Sequence, residues 1–201
     1  MNGAHIQNSG QVVWLTGLPA SGKTSVSRLL YEKIVNAGGR ARIIDGDEIR
    51  RQFQGIIGYS KEDRIRNMNY AAGMAREMKN SGFICIVALI APYADERRRL
   101  IDQIGGIEVF VDAPVAECIR RDPKGMYAKA LRGEIKQFTG IDDPYETPAK
   151  PEVHLKTDRI SPEQACDRVF DYLAATGRIT DSTWNEAEAG RIAIPGTKPT
   201  A

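Results

Sequence analysis

The chain of 201 residues reads as an α/β protein, a three-layer sandwich whose mostly parallel sheet of about five strands carries helices on both faces. Two observations predict this class. Short β-branched runs alternate with segments of helical periodicity, the pattern of a parallel sheet joined by helical crossovers. The first such junction also holds a complete phosphate-binding loop, Gly17-Leu18-Pro19-Ala20-Ser21-Gly22-Lys23-Thr24. The length suits one such domain with a full core and little beyond it.

The elements follow in order. Residues 1–10 are polar, lack the charged and apolar regions of a signal peptide, and are expected as a tail before a domain spanning 11–179. Apolar runs at 12–15, 41–44, 83–89, 107–111 and 153–155 are the expected strands. After the loop, Val26, Leu29, Leu30 and Ile34 share one helical face, and Gly38-Gly39 ends that helix. Ile65, Met68, Ala72, Ala75 and Met78 form a second apolar stripe, closed by Ser81-Gly82. Asp112-Ala113-Pro114 opens a short helix with proline at its first position. Residues 122–151, rich in Lys, Gly, Pro and Tyr, fit a mobile lid. Ser161-Pro162-Glu163-Gln164 has capping-box spacing for a helix to about Gly177. Residues 180–201 are polar and aperiodic, expected as a partly disordered tail in which Trp184 reads equally as packed on the domain or a partner and as a stray residue.

Composition narrows the function. The 28 basic and 26 acidic side chains nearly cancel, which argues against bulk capture of nucleic acid or anionic membrane. No apolar run is long enough to span a bilayer. Cys85, Cys118 and Cys166 are odd in number and form no C-x-x-C pair, so they read as reduced, buried thiols. A cytoplasmic enzyme is the expected outcome.

The chemistry begins at the loop. Its amides and the positive end of the following helix suit a triphosphate, Lys23 reaches the β- and γ-phosphates, and the Thr24 hydroxyl ligates Mg²⁺. Asp45-Gly46-Asp47-Glu48-Ile49-Arg50 follows the 41–44 strand, and the carboxyl ends of parallel strands line the ligand crevice. Asp47 there can take the proton of an acceptor hydroxyl, and Asp45 or Asp47 can hold the metal through water. Arg50 can clamp an anionic acceptor.

These blocks resemble the adenylylsulfate kinases. The likeness continues through Gly58-Tyr59-Ser60, Asp63-Arg64 with Asn67, and Arg121-Asp122-Pro123-Lys124-Gly125-Met126-Tyr127. Phe138-Thr139-Gly140-Ile141 and Asp143-Pro144-Tyr145-Glu146 with Pro148 complete it. The resemblance implies a Mg²⁺-dependent phosphotransferase that uses ATP to phosphorylate the ribose 3′-hydroxyl of adenylylsulfate. It implies catalytic Asp47 and Lys23, with residues 17–24, Ser25 and Arg121 on ATP. Asp47, Arg50, Tyr59, Arg64, Asn67, Ile90, Lys124 and Phe138 would meet the acceptor, Tyr59 and Phe138 sandwiching its adenine. It further implies a homodimer, and leaves open whether a sulfate adenylyltransferase is a partner. By pattern alone, Arg64 and Asn67 also read as a solvated helix face, Phe138 as loop packing and Tyr59 as a capping contact.

The chain departs from the family's commonest pattern at Glu48 (usually Asn), Tyr59 (usually Phe), Ala88 and Ala91 (often Ser) and Ala94 (often Arg). A mechanism needing a phosphoserine at Ala91 is excluded. Arg97-Arg98-Arg99 could replace the missing arginine or form a solvated helix face. The competing functions are a related kinase for another nucleotide-linked anion, such as cytidine diphosphoramidate, and a silent ATP-binding regulator. Lys23, Thr24 and Asp47 argue against silence, and the missing N-K-x-D block argues against a GTPase.

Overall fold

The computed structural model describes residues 6–7, 10–53 and 58–181; Trp184 and the rest of the expected C-terminal tail from 182 onward lie outside them. The first half runs β1 (Ile6–Gln7), β2 (Gln11–Thr16), α1 (Lys23–Asn36), β3 (Ala41–Asp45), α2 (Gly46–Gln52), α3 (Lys61–Asn80) and β4 (Ile84–Ala88). The second runs α4 (Ala94–Ile104), β5 (Ile107–Asp112), α5 (Val115–Arg121), α6 (Met126–Leu131), β6 (Val153–Lys156), α7 (Pro162–Ala175) and β7 (Thr180–Asp181). Five strands form one sheet in the order β3-β4-β2-β5-β6, and every neighbouring pair is parallel. β1 and β7 pair as a separate antiparallel ribbon that lies outside the expected 11–179 bounds.

The alternation of side chains along β2 builds the three layers. Val13 and Leu15 enter a core with Val26, Leu30 and Ile34 of α1 and with Val169, Phe170 and Leu173 of α7. Val12 and Trp14 enter the opposite core with Met68 and Ala72 of α3 and Leu100 and Ile101 of α4. Each such aliphatic side chain contributes roughly 1.5–3 kcal/mol by leaving water. A third cluster, Ala113, Cys118, Tyr127, Ala130 and Phe138, packs against Leu18 and Ala20 of the phosphate loop. All three cysteines are free and buried. Among the described residues no helix is long and apolar enough to cross a membrane.

Caps fix where the helices start. Ser161 and Gln164 close the expected capping box on α7, and Ser60 accepts from the Asp63 amide to start α3. Two expectations need correction. Pro114 is the extended N-cap of α5, so the helix itself begins at Val115. Arg97 belongs to neither a solvated face nor an acceptor site. It is fully buried, with Nε on Glu108 Oε1, Nη1 on the Ala91 carbonyl and Nη2 on the Glu146 carbonyl. Arg98 and Arg99 stay at the surface, paired with Asp102 and Glu96.

Candidate active site

The loop between β2 and α1 is shaped by close approach. At Gly17, with φ of 152°, a Cβ would stand 2.2 Å from the Val111 carbonyl oxygen and 2.8 Å from Ser21 Oγ. Only glycine passes there, so the chain can turn tightly over the end of β5. The Ser21 hydroxyl is buried within the loop without a protein partner. The N-cap of α1, Gly22, brings no side-chain cap, and Thr24 and Ser25 are exposed on the first turn. That helix end can therefore receive an anion. Lys23 folds back over the loop, its Nζ donating to the carbonyls of Gly17 (2.9 Å) and Leu18 (2.7 Å). Burial pushes its ammonium down to about 8, against the opposing pull of Asp47 and Asp45.

The end of β3 faces this loop. Asp45 Oδ1 caps α2, accepting from the amides of Asp47 (2.8 Å) and Glu48 (3.4 Å). Capping leaves the Asp47 carboxylate exposed toward the lid, where Oδ2 accepts from Lys124 Nζ at 2.6 Å. Burial works to raise Asp47, but the Lys124 bond and the charges of Arg50 and Lys23 hold it below the usual carboxylate range. Glu48 is exposed beside it.

On the acceptor side the solvated-face reading of Arg64 and Asn67 fails: they are 5% and 4% exposed. Arg64 Nε donates to the Tyr59 carbonyl, Nη2 donates to the Gln137 carbonyl, and Asp143 lies 3.6 Å away. One guanidinium thus joins the two segments that carry the expected ring pair. Asn67 Oδ1 and Arg50 Nε are buried polar atoms without a partner. Tyr59, 56% exposed, has the Arg50 guanidinium 4.7 Å over its ring. Phe138, 9% exposed, meets Tyr127 edge to face at 4.9 Å. The Ile90 carbonyl accepts from the Thr16 hydroxyl at 2.6 Å, which holds the end of β4 to β2.

The 122–151 segment is folded onto the loop and tied down at both ends. Arg121 donates Nε to Glu117 Oε1, Nη1 to the Ser21 carbonyl, and Nη2 to the Thr157 carbonyl at 2.6 Å. Asp122 accepts from the amides of Met126, Tyr127 and Ala128, which starts α6. The Tyr127 hydroxyl then donates to the Pro19 carbonyl at 3.1 Å. At the far end the Tyr145 hydroxyl meets Thr16 Oγ1 at 2.9 Å. Glu146 Oε2 accepts from the Ala94 amide at 2.6 Å, the first residue of α4. The position lacking the family's usual arginine is thus a helix start held by the lid.

Sequence reasoning missed two residues here. Thr157 Oγ1 donates to the Ser21 carbonyl at 2.7 Å. Its signal was its place just past the 153–155 strand, at the crevice end of the sheet. Asp142 accepts from the amides of Gln137 and Phe138, and carried no signal beyond sitting between two recognised blocks.

Comparison with known proteins places the chain in a family. The family model for adenylylsulphate kinase matches residues 9–156. An adenylyl-sulfate kinase of Picosynechococcus sp. is 42% identical over 176 residues, covering 87% of this chain and 99% of that protein. The bifunctional enzyme NodQ of Rhizobium sp. is 45% identical over 165 residues; the match covers 81% of this chain but spans only 26% of that longer protein. Among solved structures, the Mycobacterium tuberculosis APS kinase CysC in complex with AMPPNP and APS superposes with a TM-score of 0.77. It is 40% identical, and the match covers 82% of this chain and 97% of that one.

Proposed function

The chain belongs to the adenylylsulphate kinase family, and from that premise we propose that it transfers the γ-phosphoryl group of ATP to the ribose 3′-hydroxyl of adenylylsulfate. The products are ADP and 3′-phosphoadenylylsulfate. The observation that carries this reading is the Asp47 carboxylate near Lys23 of the phosphate loop, on the same helix as Arg50, with Arg50 Nε and Asn67 Oδ1 buried and unpartnered. Phosphoryl transfer asks mainly for positioning and charge stabilisation. Lys23 is placed for the phosphates. Arg50, Arg64 and Asn67 present donors and an acceptor to a phosphosulfate and ribose, where guanidinium forks suit the oxygens. Tyr59 and Phe138 offer flat faces to adenine.

Asp47 orients the 3′-hydroxyl and takes its proton as the new P–O bond forms and the bond to ADP breaks. A carboxylate held below its usual range is a weak base, which suits a loose transition state in which the proton leaves late. Lys124 must then exchange its hold on Asp47 for one on the substrates.

The donors near the loop fit Mg²⁺. The Thr24 hydroxyl and the carboxylates of Asp45 and Asp47 are all hard oxygen donors. Among the described residues no three His, Cys, Asp or Glu side chains form a metal cage. A Mg²⁺ that keeps its waters and is held largely by phosphate oxygens needs none. When bound it neutralises charge on the β- and γ-phosphates.

The test is ADP release from ATP and Mg²⁺ with adenylylsulfate, set against cytidine diphosphoramidate and no acceptor. Turnover is expected with adenylylsulfate alone, and Asp47→Ala should lower it by a factor on the order of 10² or more. Turnover only with the cytidine compound would overturn the assignment.

A further inference from the structure

Gln137 has a left-handed backbone, φ 56°, although it is not glycine and precedes the ring proposed to face the acceptor's adenine. A β-carbon is disfavoured there, so neighbouring groups must hold the conformation. They do so from both sides. The carboxylate of Asp142 accepts from two successive amides, Gln137 N on Oδ2 at 2.8 Å and Phe138 N on Oδ1 at 2.6 Å. The Gln137 carbonyl, on the other side, accepts from Arg64 Nη2. The amides of Asp142 and Asp143 reach back to the Phe138 carbonyl at 3.3 Å each, closing a small loop. Phe138, the buried large apolar side chain of this loop, is thereby presented edge to face against Tyr127, while Ile141 stays exposed.

We propose that Asp142 is a positioning residue for acceptor recognition, holding Gln137 in its left-handed conformation so that the Phe138 ring stands ready for the acceptor's base. This rests on the reading of Phe138 as an acceptor contact. Asp142 itself is exposed and its carboxylate accepts from Gln137 and Phe138, so it reaches the ATP loop only at second hand, through the packing of Phe138 against Leu18 and Ala20, and its main effect falls on the acceptor. A change that only weakens binding raises KM and leaves kcat alone.

Steady-state kinetics of Asp142→Ala should show an acceptor KM raised about tenfold, with kcat and the ATP KM within about twofold of the parent. Adding Gln137→Gly in that background supplies a residue that adopts positive φ freely, and should recover at least about threefold of the lost KM. Rescue by glycine is a result that general loosening of the loop would not give. An unchanged acceptor KM in Asp142→Ala, an equal rise in both KM values, or no rescue in the double variant overturns the proposal. Phe138→Ala separates the two levels. If it raises the acceptor KM while Asp142→Ala does not, the positioning role alone fails; if it leaves the acceptor KM unchanged, the acceptor reading of the ring fails and the positioning role with it.

Discussion

Lys23 illustrates how one atom's surroundings set a measurable property. Its ammonium is lowered to about 8 by burial, and phosphate anions would restore the charged form. Below pH 8 both free and ATP-bound states carry the proton, so affinity should be flat. Above it the free protein has lost the proton that binding requires, and ATP affinity should fall by up to about tenfold per pH unit. Calorimetry from pH 7 to 9.5 measures this, with proton uptake at pH 8.5 read from two buffers of different ionisation enthalpy. A flat affinity would mean that Lys23 keeps its ordinary basicity. The loop residues were legible because their contacts are local: Lys23 bonds to carbonyls five and six positions away. Arg97, Thr157 and Asp142 were not. Arg97 and Thr157 take their meaning from groups that only the fold brings near, such as Ser21 lying 136 positions from Thr157. Asp142 acts locally, but only a left-handed Gln137 gives it a task.

At the scale of elements, the five strands of the main sheet and the starts of α1 and α7 were visible because period and caps are written in neighbouring residues. The anchoring of α4 was not. It depends on Arg97 Nε meeting Glu108 Oε1 of β5 inside the second core, with the Ala91 and Glu146 carbonyls completing the guanidinium's partners. Removing one member strands a buried charge, and breaking such a pair costs about 3–5 kcal/mol. Glu108→Ala should lower the urea-derived unfolding free energy by about that amount. Arg97→Met with Glu108→Leu should cost less than the single change, because neither charge is then left alone. A surface pair such as Arg99–Glu96 contributes roughly 0–1 kcal/mol by comparison.

In the whole molecule, the β3-β4-β2-β5-β6 order brings the carboxyl ends of all five strands to one rim, and the loop, α2 and the lid converge there. Ligands bound at that rim stabilise the folded chain by mass action. A non-hydrolysable ATP analogue at about 100 times its Kd should add about 2.7 kcal/mol, raising Tm by roughly 5–11 °C for a chain of this size. Adenylylsulfate added to that complex should raise it further. In Phe138→Ala the second increment should shrink while the first persists, as scanning calorimetry would show. Equal loss of both increments would place Phe138 on the ATP side. The alternation of strands and helices made this architecture legible from the sequence, whereas the lid's grip on it rests on single polar contacts with no periodic signature.

Two of the lid's moorings, Arg121 on the Ser21 carbonyl and Tyr145 on Thr16, have a consequence in polymer terms. A segment fixed at both ends explores a small volume, so Lys124 and Phe138 reach the crevice at an effective concentration set by the span between moorings. Loop closure depends only logarithmically on length, so residues added at the exposed Gly133 turn would lengthen the tether between Tyr127 and Phe138, and so dilute the Phe138 ring, while barely altering the fold. Substrate affinity and fold stability are therefore separable quantities in this segment, and its length is a dial on the first alone.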